Sequence, residues 1–194
     1  MPVYNLHCKR RRQSLATWNS RGLRGSTLEE LVNRTNEQYR EKGLALIQKI
    51  PTPITPLRID KESRHITLAY FEQQSTVDYI GAVQGIPVCF DAKECGGDTF
   101  PLANIHPHQV RFMRDFERQG GVAFILVLFS HEDLLYYLRF QELSRFWERM
   151  ETGGRKSFRR EELDEGFYLP RQGGVLVPYL EGLAKDLDGR NGNG

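Results

Sequence analysis

Cysteine is scarce in this chain of 194 residues, which has three, at positions 8, 89 and 95. The number is odd and no pair forms a Cys-x-x-Cys motif, so neither a disulfide framework nor a zinc site is expected. Long apolar runs are also missing, since the longest, Val122–Phe129, is too short to span a membrane. The first residues lack the apolar stretch of a signal peptide. We therefore expect a cytoplasmic protein.

Acidic residues are absent from the first 28 positions, although charge over the whole chain is nearly balanced at +2. A basic segment without periodicity suits the phosphate backbone of a nucleic acid, and its other interpretation is a solvated tail. We expect residues 1–24 to form a flexible arm. Its basic residues are Lys9, Arg10, Arg11, Arg12, Arg21 and Arg24.

The remaining chain reads as one α/β domain over residues 25–188, with a mixed central sheet flanked by helices. Ser26 and Glu29 have the spacing of a capping box, which predicts a helix that ends near Gly43. Strands are predicted at 44–50, 75–83, 86–93 and 122–129, and helices at 107–118 and 178–187. Residues 134–150 are expected to be helical or partly helical, and 189–194 to form a flexible tail. No internal repeat is found.

A projection from the domain is predicted at about residues 51–71. Prolines at 51, 53 and 56 exclude a helix and disfavour a central strand. Two extended segments follow, at 57–59 and 65–71, with a polar turn between them. Lys61 and Arg64 lie in that turn, at the tip of the projection.

Two carboxylates and an ammonium interrupt the strands on either side of Gln84-Gly85. If these two residues form a hairpin loop, paired positions sum to 169, and Asp78 lies opposite Asp91. Side chains alternate across a sheet, so Lys93 shares the face of Asp91. Carboxylates about 5 Å apart repel by roughly 3 kcal/mol at an effective dielectric near 20.

Three arrangements would relieve this repulsion: a proton on one carboxyl group, a bridge through Lys93, or a divalent cation between the carboxylates. Mg²⁺ takes oxygen ligands, usually one or two carboxylates with water and phosphate oxygens. The alternative is an exposed polar face on an ordinary hairpin. Apolar residues on both faces of the second strand argue against that alternative.

The pattern Asp78, then Asp91-Ala92-Lys93, resembles the D-x(n)-(D/E)-x-K motif of the restriction-endonuclease-like nucleases. Its flanks resemble the RecU family of bacterial Holliday-junction resolvases, over about residues 22–138. The stretches that carry this resemblance are RGSTLE at 24–29, QSTVDYIG at 74–81, FDAKE at 90–94 and FPLANIHPHQ at 100–109. Asp91 stands where the family commonly has Glu.

The resemblance implies a restriction-endonuclease-like core, with a stalk between its first two strands that enters the centre of a four-way DNA junction. It also implies a homodimer that nicks two opposed strands with Mg²⁺, for which Mn²⁺ can substitute. Asp78 and Asp91 would be metal ligands, Lys93 the catalytic lysine and Glu29 a supporting metal ligand.

The resemblance further implies a nucleoid-associated enzyme of recombination and repair, with a branch-migration helicase and a recombinase as partners. The residues expected to contact DNA are Arg10, Arg11, Arg12, Arg24, Lys61 and Arg64.

Several interpretations stay open at this point. Glu29 is either a metal ligand or only the last residue of the capping box. Gln109, a polar residue on the apolar stripe of its helix, either reaches the active site or bonds the backbone.

The rival functions are a nuclease of the same fold acting on duplex or flap DNA, and a non-catalytic junction-binding protein that modulates recombination.

Overall fold

The computed structural model describes residues 27–51, 54–71, 76–170 and 174–191. The described residues form an α/β domain with a mixed central sheet flanked by helices, which confirms the expected fold class. The helices are α1 Leu28–Glu41, α2 Pro107–Arg118, α3 Phe140–Glu151 and α4 Tyr179–Asn191. The strands are β1 Leu46–Lys49, β2 Ile54–Ile59, β3 Ile66–Phe71, β4 Tyr79–Val83, β5 Ile86–Cys95, β6 Thr99–Pro101, β7 Val122–Phe129, β8 Leu134–Arg139, β9 Ser157–Arg159 and β10 Tyr168–Leu169.

Six strands build the central sheet in the order β1-β4-β5-β7-β8-β10. Only β5 and β7 pair in parallel within it; the other neighbours are antiparallel. Parallel neighbours need a crossover connection, and α2 supplies it. The pairs β2–β3 and β6–β9 form two small separate sheets. No helix in the described part of the chain is long and apolar enough to cross a membrane.

The β4–β5 hairpin has the predicted register. Val83 pairs with Ile86, and the ladder continues to Tyr79 and Phe90. Gln84 and Gly85 both have positive φ, at 48° and 90°. Such angles characterise the tight hairpin turn whose twist matches that of the flanking strands.

The two faces of the central sheet have different partners. One face carries stacked rings from four adjacent strands, with centroids 4.3–4.8 Å apart. Helices α1 and α4 cover this face, because Tyr79 bonds Asn33 of α1 and Tyr179 of α4 contacts Phe90 and Phe124. The stacked rings are Tyr79, Phe90, Phe124 and Tyr137. Asp91 and Lys93 are one and three residues beyond Phe90 in β5. Because side chains alternate along a strand, both lie on the other face.

The predicted projection is a separate hairpin of β2 and β3, inserted between the neighbouring strands β1 and β4. Its large apolar side chains are exposed, unlike those of the central sheet. They are Ile54, Leu57, Ile59, Ile66, Leu68 and Tyr70. Residues 52–53 and 72–75, at its base, lie outside the described residues.

Three expectations need correction. The capping box of α1 is formed by Thr27 and Glu30, one position later than predicted. Residues 134–139 are strand β8 rather than helix, because they complete ladders with β7 and β10. Residues from 189 on were expected to be a flexible tail, but α4 continues to Asn191. The predicted basic arm at 1–24 lies outside the described residues.

Candidate active site

Asp78 and Asp91 meet where strands β4 and β5 approach each other. Asp78 directly precedes β4, and its backbone N–H donates a hydrogen bond to Oδ1 of Asp91 over 2.7 Å. The carbonyl of Asp78 accepts from the N–H of Ile50, so the end of β1 is also tied to this point. The N–H of Ala92 donates a long hydrogen bond of 3.5 Å to Oδ2 of Asp78. The backbone of three strands thus fixes the carboxylate pair.

Lys93 lies between the two carboxylates. Its Nζ is 3.2 Å from Oδ2 of Asp91 and 3.7 Å from Oδ2 of Asp78. Of the arrangements that would relieve the repulsion, the described structure contains the lysine bridge. Lys93 and Asp78 retain 19% and 25% side-chain exposure, so the site opens to solvent on their side.

Asp91 is fully buried, and its Oδ2 accepts no hydrogen bond of good geometry. Burial raises the pKa of Asp91 to about 6, Lys93 lowers the pKa, and the negative charge of Asp78 raises it. Lys93 is the cationic partner of this buried oxygen, at 3.2 Å, and desolvation of a carboxylate costs free energy unless a positive charge offsets it. The oxygen is therefore a suitable ligand for a cation.

Glu29 lies at the start of α1, and its carboxylate pairs with Lys49 of β1. Both side chains are half exposed, at 47%. The capping role considered for Glu29 is wrong, because Glu30 performs it. Among the described residues, no cluster of three ligand atoms within 4.8 Å combines Glu29 with Asp78 and Asp91. Its role as a supporting metal ligand stays a prediction.

The chain resembles known proteins over most of its length. Residues 23–185 match the model of the family described as RecU, Recombination protein U. The chain belongs to the RecU family. A relative named Holliday junction resolvase RecU, from Pediococcus pentosaceus, is 40% identical over 172 residues, which cover 86% of each chain. A relative of the same name from Geobacillus kaustophilus is 44% identical over 162 residues, covering 81% of each chain.

A solved structure also resembles this RecU-family chain, the Holliday junction resolvase Hjc of Archaeoglobus fulgidus. The TM-score is 0.42 and the sequence identity 10%, over 69% of this chain and 89% of that one.

Gln109 of this RecU-family chain is buried in the first turn of α2. Its side-chain oxygen accepts a hydrogen bond from the N–H of His106 over 2.9 Å. This contact is the backbone bond that the sequence left open as an alternative. A contact of Gln109 with the reacting groups stays a prediction. The rings of His106 and His108 stack near the same helix end, 5.3 Å apart.

The residues predicted to contact DNA fall into two sets. Lys61 and Arg64 lie in the exposed turn between β2 and β3, as expected, and Arg64 has a positive φ of 57°. The other set lies outside the described residues and consists of Arg10, Arg11, Arg12 and Arg24.

One group of polar residues was not predicted. Asp98, His131 and Glu132 offer ligand atoms within 4.8 Å of one another, as a metal-binding group would. All three residues are exposed, and Arg160 pairs with both carboxylates. The residues come from two different loops without a recognisable spacing, which leaves no signal in the sequence. The ion pairs with Arg160 account for the cluster without a cation.

Proposed function

We propose that this chain is a metal-dependent endonuclease that resolves four-way DNA junctions by paired phosphodiester nicks. The observation that carries the proposal is the buried Asp91, whose Oδ2 accepts no hydrogen bond of good geometry and lies beside Asp78 and Lys93. These residues stand in the order and spacing of a nuclease motif. Membership of the RecU family, whose matched relatives are named Holliday junction resolvases, supports the junction as substrate.

The side chains present fit Mg²⁺ as the resident cation, and Mn²⁺ as a substitute. Asp78 and Asp91 offer hard oxygen ligands of the kind that both ions accept. A cation bound there would lower the pKa of a bound water and stabilise charge that develops on the phosphate. We include Glu29 in the proposed ligand set as a supporting carboxylate at the edge of the site.

Lys93 would perform two roles in turn. Without a cation it neutralises both carboxylates, as its two short contacts indicate. Once their charge is neutralised otherwise, its ammonium group is free to donate hydrogen bonds to a phosphate oxygen or to the attacking water. Its position one pleat beyond Asp91 keeps it on the face where the phosphate would lie. Gln109 is proposed to assist from the adjacent helix end.

The projecting β2–β3 hairpin is the feature that favours a junction over a linear duplex. It extends from the domain between β1 and β4, the strand that follows Asp78 directly. We propose that it enters the centre of the junction, with Lys61 and Arg64 contacting phosphates. Arg10, Arg11, Arg12 and Arg24 are proposed to contact the arms.

Two opposed nicks require two active sites, which a two-fold symmetric homodimer supplies on a two-fold symmetric substrate. From the family resemblance, we also propose a branch-migration helicase and a recombinase as partners. The proposal also extends to a cytoplasmic, nucleoid-associated role in recombination and repair.

The test is cleavage of a synthetic four-way junction by the purified chain, with Mg²⁺ and with EDTA. We expect paired nicks with Mg²⁺, none with EDTA, and a loss of roughly a thousandfold in rate for Asp78→Ala, which corresponds to about 4 kcal/mol. Glu37→Ala, which removes an exposed carboxylate of α1, is the matched control. An Asp78→Ala variant that cuts like the wild type would show that the site is assigned wrongly.

Flap and linear duplexes should be tested beside the junction. Equal cleavage of all three would favour a general nuclease of the same fold. Tight junction binding without nicks, in Mg²⁺ and in Mn²⁺, would favour a non-catalytic junction-binding protein.

A further inference from the structure

Helix α2 differs from the other helices of the described chain in its charge. It carries three arginines against one aspartate and one glutamate. In each of the other three helices, acidic side chains outnumber basic ones. The glutamate of α2, Glu117, forms a bidentate ion pair with Arg190 of α4, with contacts of 2.7 and 2.8 Å. The exposed surface of α2 is therefore more basic than its composition suggests.

Helix α2 lies on the same face of the sheet as the carboxylate pair. A crossover helix between two parallel neighbours covers one face of them, and α2 connects β5 to β7. The face of Phe90 and Phe124 is occupied by Tyr179 of α4. This leaves the face of Asp91 and Lys93 for α2, so a polyanion that reaches Asp78 and Asp91 also approaches α2.

The arginines of α2 form one stripe on its outer side. Arg111, Arg114 and Arg118 are spaced i, i+3 and i+7, which places them along one side of a helix. The residues that face the core are others, namely Gln109, Val110 and Met113. Along the helix axis the stripe is about 10 Å long, at 1.5 Å per residue. That length equals the axial rise of about three base-pair steps of DNA, at 3.4 Å per step.

The stripe is available to a ligand. Among the residues that the structure describes, no acidic side chain forms an ion pair with Arg111 or Arg114. Arg118 pairs with Asp115 over 3.4 Å, but the two side chains are 71% and 72% exposed. An ion pair so exposed contributes little and is readily exchanged for another anion.

We propose that the stripe of Arg111, Arg114 and Arg118 binds the phosphate backbone of a duplex arm whose scissile phosphate lies at Asp78 and Asp91. The inference rests on the proposed function, since it takes DNA as the polyanion. It adds a binding surface on the carboxylate face, formed by residues other than those of the hairpin tip and of positions 1–24. The contacts are to phosphates, so they position an arm without reading its sequence.

The test is the salt dependence of DNA binding, measured in EDTA by fluorescence anisotropy with a labelled four-way junction and a labelled linear duplex. The variant is Arg111→Ala with Arg114→Ala. Its matched control is Arg34→Ala with Arg40→Ala, two exposed arginines of α1 on the opposite face. A second variant, Arg111→Lys with Arg114→Lys, retains the charge. Thermal melting of each variant reports whether it is folded.

We expect the α2 alanine variant to bind about tenfold or more weakly at 0.1 M salt. We also expect its plot of log K against log salt to be shallower by about 1.8. The lysine variant should restore most of the slope, and the α1 control should match the wild type. A folded α2 alanine variant with the slope of the α1 control would overturn the inference. Wild-type binding without junction cleavage in Mg²⁺ would overturn the proposed function while the arginine surface stands.

Discussion

The backbone N–H of Asp78 donates to Oδ1 of Asp91 over 2.7 Å, so one proposed metal ligand orients the other. The hydrogen bond uses Oδ1 and leaves Oδ2 directed at Lys93, 3.2 Å away. Oδ2, which accepts no hydrogen bond of good geometry, is therefore on the side where a cation would be held. A change in the β4–β5 register would break this hydrogen bond together with the carboxylate pair.

The raised pKa of Asp91 predicts a pH dependence of metal binding. Burial lifts the pKa from 3.8 to about 6, and the protonated carboxyl group is a poor ligand. Metal affinity should be nearly constant above pH 7 and should fall about tenfold per pH unit well below pH 6. Isothermal titration with Mn²⁺ between pH 5 and 8 measures this. An affinity that is flat down to pH 5 would contradict the assignment.

The same pKa determines the sign of a stability effect. A carboxyl group whose pKa is higher in the folded state binds its proton more tightly there. Ionised Asp91 therefore opposes folding above pH 6, and this penalty decreases as the pH falls from about 6 toward 3.8, the pKa expected in the unfolded chain.

The pH dependence of metal binding should also shift when a neighbour of Asp91 is replaced. Lys93→Met should move the pH at which metal binding is lost to a higher value, because Lys93 lowers the pKa of Asp91. Asp78→Asn should move it to lower pH, because the charge of Asp78 raises that pKa.

Glu29 can be tested separately from the ion pair it forms with Lys49. An exposed pair of this kind contributes about 0–1 kcal/mol, so neither Glu29→Gln nor Lys49→Met should change the unfolding free energy by more. If Glu29 supports the cation, Glu29→Gln should raise the Mg²⁺ concentration for half-maximal cleavage about tenfold. Mg²⁺ titrations of the cleavage rate measure this. An unchanged Mg²⁺ requirement would leave Glu29 with only the ion pair.

The β4–β5 hairpin was predictable from the sequence because its loop has two residues. A two-residue loop fixes the pairing of every position in both strands, so the arithmetic that placed Asp78 beside Asp91 needed no tertiary information. The helix at 107–118 was predictable from an equally local signal, the proline at position 107 in its first turn. The projection was predictable because its prolines exclude a helix and disfavour a strand of the central sheet.

The wrong predictions arose where the sequence fits two local structures almost equally well. Ser26 and Thr27 are both good capping residues, and a glutamate follows each at the right distance, so the sequence alone does not select between them. Residues 134–138 form an apolar run that suits a helix or a buried strand. Pairing with β7 and β10 decided for the strand. The pairing of Glu29 with Lys49 joins residues 20 positions apart on two consecutive elements, at a spacing that is not a recognisable sequence signal.

Removal of the β2–β3 hairpin should separate junction preference from folding. Ile54 and Phe71 face each other as a cross-strand pair, so residues 55–70 can be replaced by Asn-Gly without moving the ends. The hairpin side chains are exposed, and we expect the melting temperature to change little. The shortened chain should cleave a junction no faster than a linear duplex. Lys61→Ala with Arg64→Ala, as a control, should weaken binding but keep the preference. A hairpin-free chain that still prefers junctions would contradict this role.

Gly81 is required where β1 pairs with β4. A methyl group added there would lie 2.1 Å from the carbonyl oxygen of Leu46 and 2.8 Å from Ile47. The obstructing atoms belong mainly to backbone, so the strands would have to separate, and β1 ends beside the N–H of Ile50 that holds Asp78.

We therefore expect Gly81→Ala to lower the unfolding free energy by about 2–3 kcal/mol, measured by urea denaturation. Because the displaced strand is bonded to Asp78, Mn²⁺ affinity should fall in the folded variant as well. Gly96→Ala is the matched control, since nothing lies within 4 Å of a methyl group at that position. Equal stability of the two variants would mean that β1 can move away from β4 at no cost.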